Sequence, residues 1–171
     1  MIFYSGFSLT NEAHFFDKFL ENSDYTVSGF SYGAIKAARY ASESKRRIDT
    51  LQLFSPAFFQ TKKESFRRLQ LTAFNNDPEI YLDRFIQGCF APSPVQDIEV
   101  TTGTIEELDE LLHYVWDDTL MRSIVKKGIR IEVYLGLEDK IIDAQAARDF
   151  FLPFATVTSI RQGNHFLQEC I

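Results

Sequence analysis

Ser31 stands at the centre of the sequence Gly29-Phe30-Ser31-Tyr32-Gly33, which is a G-x-S-x-G pattern. The pattern lies between an apolar segment at 25–30, which predicts a β-strand, and an alanine-rich segment at 32–42, which predicts a helix. A serine at such a sharp strand-to-helix turn holds its hydroxyl above the sheet, where it can attack an electrophile. The glycines suit this turn because a Cβ atom at either place would collide across it. We therefore predict a nucleophilic serine; the alternative is a tight turn without chemistry.

A serine nucleophile needs a general base, and the three histidines of the chain are the candidates. His165 lies in a Gly-Asn-His-Phe sequence just past the last predicted strand, where open parallel sheets carry functional groups. His14 lies in a phenylalanine-rich segment and His113 on an acidic helix, so both are explained more simply as surface or core-edge histidines. We predict that His165 is the base, and the alternative is a solvated loop histidine.

The base in turn needs a carboxylate that orients it and stabilises its protonated form. Asp139 follows the fourth predicted strand within the sequence Gly136-Leu137-Glu138-Asp139, at the carboxyl end of that strand. Asp143 precedes an alanine-rich segment and is explained better as a helix N-cap, and Glu138 is the weaker alternative. We predict that Asp139 is the acid.

Attack on a carbonyl places negative charge on its oxygen, and two preorganised N–H groups can stabilise that charge. We expect one donor to be the amide of Tyr32, because it follows the nucleophile directly and opens a helix. The other should come from the loop after the first strand, which reads Ser5-Gly6-Phe7. The amide of Phe7 is the donor that we predict there.

Five apolar segments predict the strands that position these residues, at 1–4, 25–30, 48–54, 129–135 and 155–160. Strands that alternate with helices favour a parallel sheet with covered faces. The first predicted helix is capped by Asn11 and runs to about residue 21. Several helical patterns at 56–122 interrupt the alternation. We therefore predict a single α/β domain of about five parallel strands with flanking helices, whose core is 1–55 and 123–171 and whose helical cap insertion is 56–122.

Composition narrows the classes of function. The chain has 171 residues, of which 45% are hydrophobic, and can bury a core of its own. Its net charge of −6 disfavours nucleic acid as a partner. No apolar stretch approaches about 18 residues and no basic segment precedes an apolar run, so we expect neither a membrane span nor a secretory signal. Cys89 and Cys170 lack a metal-ligand spacing and are expected to be free thiols of a cytoplasmic protein. We predict no metal and no cofactor.

The order of the candidate nucleophile, acid and base, each on a loop after a strand, resembles that of the α/β-hydrolase superfamily. The matching motifs are Gly29-Phe30-Ser31-Tyr32-Gly33, Gly136-x-x-Asp139 and Gly163-Asn164-His165-Phe166. The resemblance extends over nearly the whole chain, and the insertion resembles the helical cap of that superfamily. It implies a minimised α/β-hydrolase fold without two N-terminal strands and one later strand-helix unit. It also implies a serine hydrolase with Ser31, Asp139 and His165 as its triad, although Ser5-Gly6 stands where the superfamily has His-Gly.

More narrowly, the layout and motifs resemble the short pimeloyl-acyl-carrier-protein methyl ester esterases of biotin synthesis, the BioV type. This resemblance implies hydrolysis of that ester to pimeloyl-acyl-carrier protein and methanol, with acyl carrier protein as the partner. Because carrier proteins are strongly acidic, such an esterase needs a basic face. The candidates on the insertion are Lys62, Lys63, Arg67 and Arg68, with an ordinary solvated helix face as the alternative.

The insertion also carries six phenylalanines that are candidates for lining an acyl channel, although most are explained as well by an ordinary core. They are Phe58, Phe59, Phe66, Phe74, Phe85 and Phe90. Two other functions stay open. One is an esterase or thioesterase for a small soluble substrate. The other is a non-catalytic binding module on a shortened hydrolase scaffold. The presence of all three triad residue types at three strand ends argues against this alternative.

Overall fold

The computed structural model describes residues 1–169, and its centre is one sheet of five parallel strands. The strands lie side by side in chain order as β1 (Ile2–Tyr4), β2 (Thr26–Phe30), β3 (Thr50–Phe54), β4 (Arg130–Gly136) and β5 (Thr156–Ile160). All five predicted strands are confirmed, with bounds one or two residues from the predicted ones. Because the strands are parallel, the loops after them all leave from the same edge of the sheet.

Three helices cover one face of the sheet: α1 (Tyr32–Glu43), α5 (Asp118–Lys126) and α6 (Ala144–Phe151). Alternate strand residues such as Leu51, Leu53 and Val133 point to this face and are fully buried with them. The alanines of α1 are buried as well, and their small side chains let the helix approach the sheet closely. This packing holds the start of α1 directly behind the end of β2.

The opposite face is covered mainly by aromatic side chains, to which the helix Pro78–Phe90 adds Ile86, Cys89 and Phe90. Phe16 is buried there, with its ring centroid 4.7 Å from that of Phe54 and 5.0 Å from that of Phe30. The predicted helix from Asn11 to about residue 21 is wrong, because the structure has only a short 3₁₀ helix (Glu12–Phe16). Asn11 does not cap it; its Oδ1 atom instead accepts a hydrogen bond from the amide of Glu99 at 2.9 Å.

The chain crosses from β1 to β2 over one face and from β2 to β3 over the other. Phe16 belongs to the first crossing, whereas Ile35 of α1 belongs to the second and packs with Leu51. Since β1, β2 and β3 are parallel neighbours in chain order, the two crossings have opposite hands. The preference for right-handed crossovers applies to connections built on a packed helix, and a 3₁₀ turn does not impose it.

The segment between β3 and β4 contains α2 (Glu64–Asn76), α3 (Pro78–Phe90) and α4 (Ile105–His113), and then α5. Asp77 joins α2 to α3 and caps α3, since its side chain accepts a hydrogen bond from the amide of Ile80 at 3.0 Å. Helix α4 begins with a capping box formed by Thr104 and Glu107. Helix α5 begins inside the predicted insertion, yet Met121 and Ile124 pack in the core beside α1. The insertion bounds stay a prediction.

The structure also bears on the predictions about membrane spans and cysteines. Within residues 1–169, no helix has the length and apolar character needed to cross a membrane. Cys89 is a buried free thiol, and Cys170 lies outside the described residues.

Candidate active site

Ser31 occupies a strained turn between β2 and α1. Its backbone has φ 51° and ψ −113°, and a non-glycine residue in such a conformation costs on the order of 1–3 kcal/mol. Its amide donates to the carbonyl oxygen of Phe54 at 2.9 Å, which ties the turn to β3. A Cβ atom on Gly33 would lie 2.0 Å from the carbonyl oxygen of Tyr4, and one on Gly29 would lie 2.3 Å from the carbonyl oxygen of Gly33. The turn therefore has the form that the pattern predicts, including the need for both glycines.

The structure brings Ser31, His165 and Asp139 together in one hydrogen-bonded row. His165 Nε2 lies 3.1 Å from Ser31 Oγ, and His165 Nδ1 lies 2.6 Å from Asp139 Oδ2. The second carboxylate oxygen, Asp139 Oδ1, accepts the amides of Ile141 at 2.7 Å and Ile142 at 3.1 Å. With its carboxylate fixed by two amides, Asp139 favours the histidine tautomer that carries its proton on Nδ1. The Nε2 atom is then free to accept the proton of the serine hydroxyl.

The loop that carries His165 is held by its neighbour, Asn164, whose side chain is fully buried. Asn164 Oδ1 accepts the amides of Phe166 at 3.0 Å and Gln168 at 3.1 Å, and its Nδ2 donates to the carbonyl oxygen of Phe90 at 3.0 Å. The amide thereby pins the loop to the end of α3. Sequence reasoning included Asn164 in a motif but assigned it no role, because its partner on α3 is distant in the chain.

The predicted oxyanion donors are the amide of Phe7, in the loop after β1, and the amide of Tyr32, directly after Ser31. The carbonyl oxygen of Gly6 accepts the amide of Leu9 at 3.2 Å, which fixes the peptide plane between Gly6 and Phe7. The N–H of Phe7 belongs to that plane and points the opposite way, since a trans peptide has its N–H and C=O antiparallel. The amide of Tyr32 is the first of α1. Among the hydrogen bonds of residues 1–169, neither amide has an acceptor. Their role as oxyanion donors stays a prediction.

Glu12 supports the same loop and was missed from the sequence. Its side chain is fully buried, and Oε1 accepts the amide of Gly6 at 2.6 Å. Burial raises the pKa of this carboxyl, while the bond from the Gly6 amide lowers it. Within the described part of the chain, the other oxygen, Oε2, has no hydrogen-bond partner. An acid in a phenylalanine-rich segment was the only available signal.

A cavity of about 610 Å³ opens over Ser31, between the turn and the helices of the insertion. Three of the six phenylalanines predicted for an acyl channel line it, namely Phe59, Phe66 and Phe85, and Phe7 lines it too. Phe58, Phe74 and Phe90 are buried in the two hydrophobic clusters. Helix α4 contributes an aliphatic wall made by Leu108, Leu111 and Leu112. The cavity lining next to these phenylalanines and α4 is therefore apolar, and Ser31 belongs to the same lining.

The four predicted basic residues do not lie in equivalent places. Arg67 is mostly internal: its side chain is 15% exposed and donates to the carbonyl oxygens of Leu112 at 2.9 Å and Phe59 at 3.1 Å. A guanidinium engaged in this way is not available to a partner, so the expected docking role of Arg67 does not fit its position. Lys62 is half-buried over the ring of Phe66, while Lys63 and Arg68 are exposed.

Two cations at the cavity were not predicted. Arg84 of α3 and Lys140 of the loop after β4 both line it and are exposed. Within residues 1–169 no carboxylate forms an ion pair with Arg84, whereas Lys140 lies 3.4 Å from Glu138. Leu69 and Ile80 also line the cavity and are 64% and 51% exposed. Asn76 and Asp77 line the cavity and are exposed as well, so its accessible part combines apolar, basic, amide and acidic side chains.

Comparison with known proteins supports the same fold. The protein-family models and the curated proteins give no match to the chain. Among solved structures, BioG from Haemophilus influenzae superposes with a TM-score of 0.59 at 12% identity, over 97% of this chain and 88% of that one. A carboxylesterase of the thaumarchaeon Nitrososphaera gargenis gives 0.57 at 15% identity, and naproxen esterase from Bacillus subtilis gives 0.56 at 19%.

The chain has the α/β-hydrolase fold. Its five parallel strands, flanking helices and order of site residues are those that the superfamily resemblance implied, so the predicted fold class is confirmed. The chain is short for this fold. The superposition with the thaumarchaeal carboxylesterase includes 82% of this chain and 57% of the esterase. The superposition with naproxen esterase includes 83% of this chain and 53% of the esterase. The identities are low, so the likeness concerns the fold, and the chemistry must be argued from the site.

Proposed function

We propose that the chain is a serine carboxylesterase. The observation that carries the proposal is the hydrogen-bonded row of Ser31, His165 and Asp139, in which Ser31 also lines a largely apolar cavity. A nucleophile, a base within hydrogen-bond reach and a group that orients the base are what acyl transfer requires. A non-catalytic binding module would have no need to preserve this arrangement on three separate loops.

In the proposed reaction, Ser31 Oγ attacks the ester carbonyl while His165 Nε2 takes its proton. The amides of Phe7 and Tyr32 stabilise the resulting oxyanion. The intermediate then expels the alcohol, which receives the proton from His165, and an acyl-serine remains. Water attacks this acyl group in the second half of the cycle, with His165 again taking a proton and returning it to Ser31. Asp139 stabilises the imidazolium in both halves.

The substrate that we propose is the methyl ester of pimeloyl-acyl-carrier protein, which gives pimeloyl-acyl-carrier protein and methanol in biotin synthesis. The apolar cavity above Ser31 suits a linear acyl chain, and its aliphatic wall on α4 offers such a chain no competing polar groups. The likeness to a BioG structure over nearly the full length of both chains is consistent with this choice.

The acidic carrier protein is proposed to dock where the cavity opens. Leu69 and Ile80 are exposed there beside Arg84 and Lys140. Lys63, the N-cap residue of α2, and Arg68 of α2 are exposed as well, and α2 also carries Leu69. An apolar and basic surface complements an acidic partner and accelerates its association, most strongly at low ionic strength.

The test of the enzyme is Ser31→Ala, with Ser159→Ala as the control because Ser159 is exposed on β5. We expect Ser31→Ala to abolish both hydrolysis of p-nitrophenyl acetate and labelling by a fluorophosphonate probe, while the Tm stays close to that of the parent. The control should retain both activities. Undiminished hydrolysis by Ser31→Ala would refute the proposal.

The test of the partner reverses charge in Lys63→Glu/Arg68→Glu. We expect kcat/KM for the methyl ester of pimeloyl-acyl-carrier protein to fall about ten-fold at low salt, with a smaller fall at high salt, and kcat/KM for p-nitrophenyl acetate to be unchanged. The control is Lys45→Glu/Arg46→Glu, which makes the same change of charge at two exposed residues just after the C-terminal end of α1. Equal rates for both variants on the carrier-bound ester would favour a small soluble substrate.

A further inference from the structure

The residue that follows the nucleophile is tied by its side chain to the insertion. The ring of Tyr32 is buried, and its hydroxyl donates to Glu110 Oε2 on α4 at 2.5 Å. The other oxygen of that carboxylate, Oε1, pairs with Arg39 two turns further along α1. One carboxylate on the insertion therefore holds α1 at both its first turn and its third.

The neighbouring turn repeats the arrangement in weaker form. Lys36 lies between Tyr32 and Arg39 on the same face of α1, and its Nζ atom is 3.6 Å from Glu107 Oε1 and 4.3 Å from the centroid of the Tyr32 ring. Residues Tyr32, Lys36 and Arg39 thus face Glu107 and Glu110 at helical spacing on both sides. These five side chains form a polar row, which we call the α1–α4 row.

The row connects two parts of the site that have different tasks. At one end, Tyr32 supplies an amide that is unpaired within the described chain and is proposed to bind the oxyanion. At the other, α4 carries Leu108, Leu111 and Leu112, which form the aliphatic wall of the cavity. Burial and the Glu110 carboxylate raise the pKa of the Tyr32 hydroxyl above its ordinary value, so that it stays a donor. The bond from Tyr32 lowers the pKa of Glu110.

We propose that Glu110 is a positioning residue for ester hydrolysis. Through its hydrogen bond with the Tyr32 hydroxyl it orients the first residue of α1, and because it belongs to α4 it also fixes the position of the aliphatic wall of the cavity relative to α1. This inference rests on the proposed esterase function. In this proposal, Glu110 contacts neither the substrate nor Ser31. A small displacement of a preorganised oxyanion donor is enough to lower kcat, because the donor must meet the oxygen where charge develops.

The first experiment uses p-nitrophenyl acetate, whose short acyl group does not reach along the α4 wall. We expect Tyr32→Phe and Glu110→Ala each to lower kcat about ten-fold while KM changes less than about two-fold. Glu106→Ala is the matched control, since Glu106 is exposed on the same helix, and it should keep the parental kcat. Glu110→Gln retains an acceptor for the Tyr32 hydroxyl and should restore most of the kcat lost in Glu110→Ala.

A merely structural role would give a different pattern. It would lower the Tm of Tyr32→Phe and Glu110→Ala and leave kcat at the parental value at temperatures where the variants are folded, and that result would overturn the inference. If Glu110→Ala does not fold, Tyr32→Phe and Glu110→Gln decide the question in its place.

The second experiment is the double variant Tyr32→Phe/Glu110→Ala. If the two residues act through one hydrogen bond, kcat should fall no further than in either single variant. Multiplied effects would contradict the coupling. The parallel Ser31→Ala assay separates the outcomes, since activity without Ser31 would refute the esterase function itself, whereas a normal kcat in Tyr32→Phe would refute only the role of Glu110.

Discussion

The Nε2 atom of His165 lies 3.1 Å from Ser31 Oγ, although the two residues are 134 positions apart in the chain. Their strands, β2 and β5, are separated by β3 and β4, which corresponds to about 14 Å across a sheet. The loop after β5 spans this gap by turning back over the end of β4, where the amide of Glu138 donates to the carbonyl oxygen of Gly163 at 2.9 Å. The same bond joins the loop of the acid to the loop of the base.

Asp139→Asn should lower kcat for p-nitrophenyl acetate by about 10⁴ while the far-UV circular dichroism and Tm stay near the parental values. The Oδ1 atom of Asp139 is fixed by the amides of Ile141 and Ile142, which require an acceptor. The asparagine must therefore turn its NH₂ group toward His165 Nδ1, and this favours the wrong tautomer. Asp97→Asn, at an exposed position, is the control. A kcat within about ten-fold of the parent would mean that Asp139 does not orient the base.

Gly33→Ala should disrupt the nucleophile's turn. The added Cβ would lie 2.0 Å from the carbonyl oxygen of Tyr4 and 2.5 Å from that of Ser5, and backbone atoms cannot move away cheaply. We expect a loss of about 3 kcal/mol in the free energy of unfolding, measured with urea, together with loss of fluorophosphonate labelling. Gly128→Ala is the comparison, because Gly128 has φ 79° with nothing within 4 Å of its Cβ position. It should lose about 1 kcal/mol from backbone strain alone and keep full labelling.

Glu12→Gln should change how stability depends on pH. Burial raises the pKa of Glu12 from its ordinary value of 4.5, so the folded protein holds this proton more tightly than the unfolded chain does. The stabilising contribution is therefore complete below the unfolded pKa and is lost as the pH rises through the folded pKa. Glutamine still accepts the Gly6 amide but cannot ionise. We expect the difference between the Tm of Glu12→Gln and that of the parent to shift in favour of the variant as the pH rises above the ordinary carboxyl pKa of 4.5.

The control for this experiment is Glu43→Gln, because Glu43 is exposed at the end of α1. Its Tm difference from the parent should not follow the Glu12→Gln curve. A Tm difference for Glu12→Gln that stays constant over the whole pH range would show that Glu12 does not carry the titration.

Arg67→Ala should destabilise the protein by about 2 kcal/mol, since it removes two hydrogen bonds from a charged group to the carbonyl oxygens of Leu112 and Phe59. Arg67→Lys should recover little of this loss, because an ammonium does not present the planar donors that reach both carbonyls. Arg68→Ala, on the same helix but exposed, should stay within about 0.5 kcal/mol. Chemical unfolding measures all three variants, and equal effects for Arg67 and Arg68 would contradict the structural role of Arg67.

Much of this protein is predictable from local sequence, for identifiable physical reasons. The apolar segments predict all five strands. Strands β2 and β3 are buried at every position, as expected for central strands of a parallel sheet that is covered on both faces. Gly29 and Gly33 predict the turn at Ser31 because the collision that they avoid lies within a few residues or on the adjoining loop. The candidate base and acid follow from chain order, since the loops after parallel strands share one edge.

The tertiary structure decided whatever depends on partners far apart in the chain. The phenylalanines at 15–19 have helical spacing, yet the aromatic face over Phe30 and Phe54 shortens that helix to the 3₁₀ turn. Arg67 has the same charge as Arg68, and only the carbonyl oxygens of Leu112 and Phe59 distinguish them. The bond between Tyr32 and Glu110 joins residues 78 positions apart. Local patterns thus determined the strands and the nucleophile's turn, while packing between distant segments decided which charged side chains support the site and which remain free.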